Sequence, residues 1–324
     1  MTNTIRLLPR LASALMMALL ATSVAAPASA QAVLVGKDNW LFYAGDDMSQ
    51  AGTAAMRENI ALMRDANDLL KAKGIGLVVV VVPLKARFGQ GNLPEGSAIS
   101  AAAQPRYAAA QEQLKAAGIV SVDLMPALTA VEQSGQGAFF RKDSHWTAWS
   151  AEAAAQATAG VIQQHWTLSG EAGSGKALGD WIKERRFSDF TELMTAAQRK
   201  TVGQEIYTVR KLVDQGGLLD DDVPVVQVIG NSAVQPYLGF PQMLSNKLDR
   251  PVGLTWKYGN FGPWSVLLEY LESDAFAQHK PDVVVWQLNE SQLLFGPDVA
   301  GQWDASALLA PAAWRNRVQA ALVR

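Results

Sequence analysis

Gly74-Ile75-Gly76-Leu77-Val78-Val79-Val80-Val81-Val82-Pro83 is the stretch on which the fold turns. The run from Ile75 to Val82 is almost continuously apolar and is closed off by Gly74 and Pro83. An alternating strand has one wet face, whereas a strand apolar at every position is buried on both, as in a parallel sheet with helices on each side. Leu77 to Val82 is far shorter than the roughly 20 residues that cross a bilayer, so it is no membrane span. Working outward, Met56, Ile60, Met63 and Leu70 fall at near-helical spacing and predict a helix from about Gln50 to Lys73, stopped by Gly74. Ahead of it, Ala32 to Val35 and Trp40 to Tyr43 flank the turn-rich Gly36-Lys37-Asp38-Asn39 and predict a hairpin.

The alternation continues downstream, which is the signature of a layered α/β domain. A helix is expected around Pro105 to Ala117, a strand at Ile119 to Leu124, a short helix near Pro126 to Gln133 and a helix from Thr147, as its cap, to about Gln164. A second half reads as strand Val223 to Ile229, a helix after Ser232, strand Val252 to Trp256, helix Trp264 to Gln278 and strand Val283 to Leu288. Between the halves, residues 166–222 are less regular, glycine-rich at the start and acidic at Asp220-Asp221-Asp222. They are expected to be an insertion: a surface excursion, or else a lid or rim of a substrate groove.

The N-terminus reads as an export signal. Arg6 and Arg10 supply its positive start, Leu11 to Ala21 its apolar stretch and Ala28-Ser29-Ala30 a small-residue cleavage site before Gln31. Expected domains are therefore a signal peptide over 1–30 and one catalytic domain over 31–324, with 166–222 inserted. A periplasmic product follows, an uncleaved inner-membrane anchor being the minor alternative. The chain has no cysteine, which excludes disulfides, a thiol nucleophile and cysteine-held metals. A net charge of −2 with both signs interspersed gives no electrostatic footprint for nucleic acid. Gly170 to Lys176 has the glycine and lysine spacing of a phosphate-binding loop, but Ala177 stands where a magnesium-holding hydroxyl belongs and no buried strand precedes it. Neither a cofactor nor a metal site is expected.

Two short segments about ninety residues apart carry the chemistry: Asp143-Ser144-His145-Trp146 and Gly230-Asn231-Ser232. Three histidines exist, and of these His145 has a carboxylate two residues away in a loop-like context. Residues at i and i+2 do not face each other on a helix, but in an extended or turning segment Asp143 can accept from Nδ1 and leave Nε2 for a serine. Ser232 follows a strand and precedes a helical turn, so its hydroxyl points out of the carboxyl edge of the sheet near free N–H groups. A serine helix cap without chemistry fits that position too. Asn289, Gly259 and Asn260 also fall at or just after strand ends and are candidate oxyanion donors; plain turns explain them as well. Trp146 and Tyr258 are candidate platforms for a sugar ring, although a tryptophan is also a common buried anchor.

Taken in order, VLVGKDNWLFYAGDD, GLVVVVVPLKARFGQGNLP, FFRKDSHWTAWSAEAAA, VVQVIGNSAV and PDVVVWQLNES resemble the alginate O-acetyltransferase family, whose catalytic domain is SGNH hydrolase-like. The resemblance implies a three-layer α/β domain with a mainly parallel sheet, circularly permuted, because the Asp/His pair precedes the serine. It implies Ser232 as nucleophile, His145 as base and Asp143 as orienting acid. It also implies an exopolysaccharide substrate, a membrane-bound O-acyltransferase as acetyl donor and further export-complex proteins as partners. The chain ends soon after Glu290, so no separate carbohydrate-binding module is expected. An acetylesterase using the same residues and a non-catalytic polysaccharide-binding subunit are the alternatives.

Overall fold

The computed structural model describes residues 33–213 and 223–323. The export signal expected over 1–30 and the Asp220–Asp222 run lie outside the described residues. From the N-terminal side the elements are a hairpin of β1 (Val33–Val35) and β2 (Leu41–Tyr43), then α1 (Thr53–Lys71), β3 (Gly76–Val82), α2 (Arg106–Ala116), β4 (Val120–Val122) and α3 (Met125–Gln133). There follow α4 (Ala148–His165), β5 (Trp181–Arg186), α5 (Asp189–Glu192), α6 (Ala196–Val202) and β6 (Glu205–Arg210). The second half holds β7 (Val226–Gly230), α7 (Phe240–Leu248), β8 (Val252–Trp256), α8 (Gly262–Leu271), α9 (Asp274–Gln278), β9 (Val283–Asn289) and α10 (Pro311–Ala321).

Five strands form the central sheet in the order β4-β3-β9-β7-β8, and every neighbouring pair is parallel. Every residue of β3 is buried, and the reason is visible in how its side chains divide. Leu77, Val79 and Val81 enter one core with residues of α1, α2, α8 and α10, while Val78, Val80 and Val82 enter the other with residues of α3, α4, α7 and β6. Successive side chains of a strand point to opposite faces, so helices on both faces require apolar residues at every position.

The chain order carries sheet order with it. β9, last of the strands, lies between β3 and β7, which brings the two halves of the sequence together at one carboxyl edge. That edge is where α/β sheets present ligands and catalytic groups.

Three expectations differ from what is found. The helix expected from Trp264 to Gln278 is broken after Leu271; Ser273 caps α9 by accepting from the Phe276 N–H, which starts a second, separate helix. α10 was not anticipated, and its Trp314 packs edge-on to Trp264 at 5.2 Å. The segment 166–222 is more regular than read: β5 and β6 pair antiparallel from Trp181↔Arg210 to Arg186↔Glu205. Lys183, Glu184, Arg185 and Arg186 mask the strand period of β5 in sequence, since the apolar alternation that flags a strand is missing there. Gly170 to Lys176 follows a helix and leads into a strand, the reverse of a phosphate-binding loop. Among the described residues no helix is long and apolar enough to cross a membrane.

Candidate active site

The site is assembled from two turns. In the first, Phe139 bridges Trp146, the Phe140 N–H donates to the His145 carbonyl and the Thr147 N–H to the Ala138 carbonyl, so residues 138–147 double back on themselves. This puts Asp143 and His145 in a turning segment, immediately ahead of α4, whose cap Thr147 accepts from the Ser150 N–H. In that geometry His145 Nδ1 lies 2.6 Å from Asp143 Oδ1.

The second turn leaves β7 at Gly230. A Cβ there would lie 2.4 Å from Gln287 Oε1 and 2.9 Å from Val234 Cγ2, so glycine is required for space rather than for a left-handed conformation. Gln287 uses the approach: its Oε1 accepts from the Asn231 N–H at 2.9 Å. Asn231 Oδ1 accepts from the Ala233 N–H at 2.9 Å, which caps a 3-10 turn over Ser232–Val234. Ser232 opens that turn, so its own N–H has no partner within the turn and stays available. Its Oγ stands 2.8 Å from His145 Nε2.

Trp146 ties the two turns together. Its Nε1–H donates to the Ala233 carbonyl at 2.8 Å and its ring stacks on Phe240 at 5.8 Å. The ring is 0% exposed, which corrects the reading of Trp146 as a sugar platform: no ligand reaches it. Tyr258, by contrast, is 65% exposed and edge-on to Trp256 at 5.7 Å.

Of the candidate oxyanion donors, Asn289 belongs to an amide network that Gly259 joins through its carbonyl. Asn289 Oδ1 accepts from Asn231 Nδ2 and from Gln287 Nε2, each at 3.2 Å. Gln292 Oε1 accepts from Asn231 Nδ2 and the Asn289 N–H, and its Nε2 donates to the Gly259 carbonyl at 3.2 Å. Gly259 and Asn260 open a 3-10 turn beyond β8, whose end is tied to the nucleophile turn by the Lys257 N–H donating to the Gly230 carbonyl. Asn289 Oδ1 thus ties the end of β9 to the Ser232 turn through Asn231.

Electrostatics follow from burial. Asp143 is buried, which pushes its pKa up, but the His145 charge and hydrogen bonds from the His145 ring, Tyr207 and the His145 N–H outweigh burial and hold it well below the carboxylate range. For His145 burial works downward and the Asp143 carboxylate works upward; the net direction is up. Asp189, on the solvent side, adds to that rise and Arg186 opposes it. Asp143, His145 and Asp189 offer atoms within 4.8 Å of one another, a spacing compatible with a metal. Nδ1 is already committed as the donor to Asp143, so it has no lone pair for an ion while that bond stands.

Sequence reading missed several supporting groups. Lys85 is buried, donates through Nζ to the carbonyls of Leu41, Arg141 and Asp143 at 2.6–2.8 Å, and is pushed down by burial to about 7 against the pull of Asp143, Glu205 and Asp46. Glu290 is fully buried and accepts from Arg87, Arg106 and the Leu84 N–H. Lys85 and Arg87 follow the carboxyl end of β3, the position where site residues gather, so a signal for them existed. For Tyr207, on the unrecognised strand β6, none did.

The mainly parallel sheet with helices on both faces is that of an SGNH hydrolase-like domain, and Ser232, His145 and Asp143 stand in hydrogen-bonding sequence at its carboxyl edge. Residues 33–290 match the model of an SGNH hydrolase-like domain, acetyltransferase AlgX, and the chain belongs to that family as an SGNH-type O-acetyltransferase. It is 32% identical over 291 residues to the probable alginate O-acetylase AlgJ of Pseudomonas putida, covering 84% of this chain and 74% of that protein. The solved O-acetyltransferase domain of Pseudomonas putida AlgJ superposes with a TM-score of 0.70 at 28% identity, covering 89% of this chain and 98% of that one. Pseudomonas aeruginosa AlgX, at 19% identity and a TM-score of 0.54 over 81% of this chain and 66% of that one, shares the fold.

Proposed function

We propose that this chain transfers acetyl groups to hydroxyls of an exopolysaccharide through an acetyl-Ser232 intermediate. The observation that carries the reading is the continuous hydrogen-bonded sequence Asp143 Oδ1, His145 Nδ1, His145 Nε2, Ser232 Oγ, with steps of 2.6 and 2.8 Å. Ser232 Oγ attacks the acetyl carbonyl of the donor while His145 Nε2 takes its proton. Asp143 holds the tautomer with the proton on Nδ1 and stabilises the imidazolium. Collapse expels the donor's alcohol, which leaves with the proton from Nε2. A sugar hydroxyl then gives its proton to Nε2, attacks the acetyl-serine carbonyl, and the returning serine oxygen recovers that proton. The Ser232 N–H is the first donor for the oxyanion in both halves, with Asn289 Nδ2 and the backbone N–H of Gly259 or Asn260 as the further candidates.

Tyr258, exposed at the same edge, is the platform for a sugar of the polymer. The substrate follows from relatives that are named alginate O-acetylases, and the acetyl donor from the need for an activated acyl group outside the cytoplasm: a membrane-bound O-acyltransferase acting with other export-complex proteins. Residues 1–30 are the export signal, and 31–324 the catalytic domain working in the periplasm. Purified protein incubated with an acetyl ester and an oligosaccharide of the polymer tests this. Acetylated oligosaccharide supports transfer; acetate as the sole product makes the protein an esterase.

A further inference from the structure

Described residues between α4 and β7 make several polar contacts with the loop that bears Asp143. Glu205, at the start of β6, accepts from the N–H groups of Arg141 and Lys142 through its two oxygens, each at 2.9 Å. Lys142 Nζ reaches back to the carbonyls of Val202 and Gln204, and Ser188 Oγ donates to the Lys142 carbonyl. Two residues beyond Glu205, Tyr207 OH donates to Asp143 Oδ2 at 2.7 Å. The other carboxylate oxygen, Oδ1, faces His145, so the phenol and the imidazole take opposite oxygens of one carboxylate.

The Tyr207 ring is itself fixed. It is buried, lies 4.1 Å from the Phe140 ring, and has the Arg186 guanidinium 5.3 Å above it. Burial first, and then the Asp143 carboxylate, push the phenol far above its ordinary pKa, so the hydroxyl remains a donor throughout the working range.

We propose that Tyr207 is a positioning residue for acyl transfer: the inserted hairpin delivers its hydroxyl to Asp143 Oδ2 and thereby sets the carboxylate that aligns and polarises His145. This rests on the reading of Ser232, His145 and Asp143 given above. Tyr207 is the donor to Oδ2, and a carboxylate that loses it concentrates its charge on the donors that remain at Oδ1, the His145 ring and N–H among them. The proton on His145 is then held more tightly. Other groups facing the pair are Asp189 and Arg186 beside His145, and Lys85 near Asp143; Arg186 and Glu205 also act on the phenol itself.

The experiment is Tyr207→Phe in the full chain, with kcat and KM for a chromogenic acetyl ester measured across pH and normalised to the fraction of folded protein. Ile206→Ala, on the same strand and 51% exposed, is the control for hairpin disturbance. We expect kcat to fall roughly tenfold to a hundredfold, the worth of a hydrogen bond to a charged group, with KM little changed and the acid limb of kcat/KM displaced to higher pH. Ile206→Ala should behave as wild type. A Tyr207→Phe protein with wild-type kcat and an unmoved acid limb overturns the proposal, as does a loss that only tracks the folded fraction. Ser232→Ala in the same assay separates the two claims: if it is inactive while Tyr207→Phe is unimpaired, the positioning role alone fails, and if it is active the reading of the site fails.

Discussion

Ser232 Oγ and His145 Nε2 are 2.8 Å apart, although 87 residues separate them in the chain. The distance is set by scaffolding behind both groups. Trp146 joins the histidine loop to the Ala233 carbonyl, and Gln287 joins the nucleophile turn to β9.

Replacing Asp143 by Asn tests the orienting acid. The amide keeps the shape but no longer stabilises an imidazolium, and it favours the wrong histidine tautomer. By analogy with other serine triads, kcat is expected to fall about 10⁴-fold with KM nearly unchanged, in a steady-state assay with a chromogenic acetyl ester.

The pH dependence has a defined sign. His145 must be neutral to accept the serine proton, and Asp143 raises its pKa against burial and Arg186, with Asp189 in support. The acid limb of kcat/KM should therefore lie above the ordinary histidine value of about 6.5. Stability moves the other way. A raised folded pKa means that the His145 contribution is fully present below about 6.5 and is lost as pH rises through the folded value. The lowered value of Asp143 gives a contribution present above about 3.9 and lost as pH falls through its folded value. Denaturant titrations beside rate measurements over pH 5–9 should show activity rising while the histidine-linked stability declines.

Glu290 joins the end of β9 to the segment after β3 and to α2. It pairs with buried Arg106 and partly buried Arg87, whose Nε atoms lie 3.0 and 2.8 Å from it. Glu290→Gln leaves those guanidinium groups without their counter-charge. A loss of about 3–5 kcal/mol is expected in urea denaturation, the usual cost of breaking a buried pair from one side.

Tyr258→Ala removes an exposed ring and leaves the core intact. KM for an oligosaccharide acceptor should rise several-fold while the rate of acylation by a small ester is unaffected. An unchanged acceptor KM would remove Tyr258 from the acceptor site.

Much of the layout was legible because it depends on local patterns. The valine run announces a strand covered on both faces, and the glycine at 230 and the turn at 143–146 announce the two loops that meet at Ser232 and His145. Strand order was not legible: nothing in the residues of β9 says that it inserts between β3 and β7. Tyr207 was hidden for a different reason. Its strand pairs with a highly charged partner, Trp181–Arg186, so the period that would reveal either is weak, and the role of the phenol appears only once β6 is laid against residues 141–143. Trp146 was open to two readings, and burial decides for the anchor.

The most direct test of the account is to mix the protein briefly with a chromogenic acetyl ester, quench in acid and map the acetyl group by peptide mass spectrometry. The account predicts a burst of released chromophore equal to the enzyme present and one acetyl group on Ser232, both absent in Ser232→Ala. An acetyl group on another residue, or a Ser232→Ala protein that turns over the ester at the wild-type rate, would contradict it.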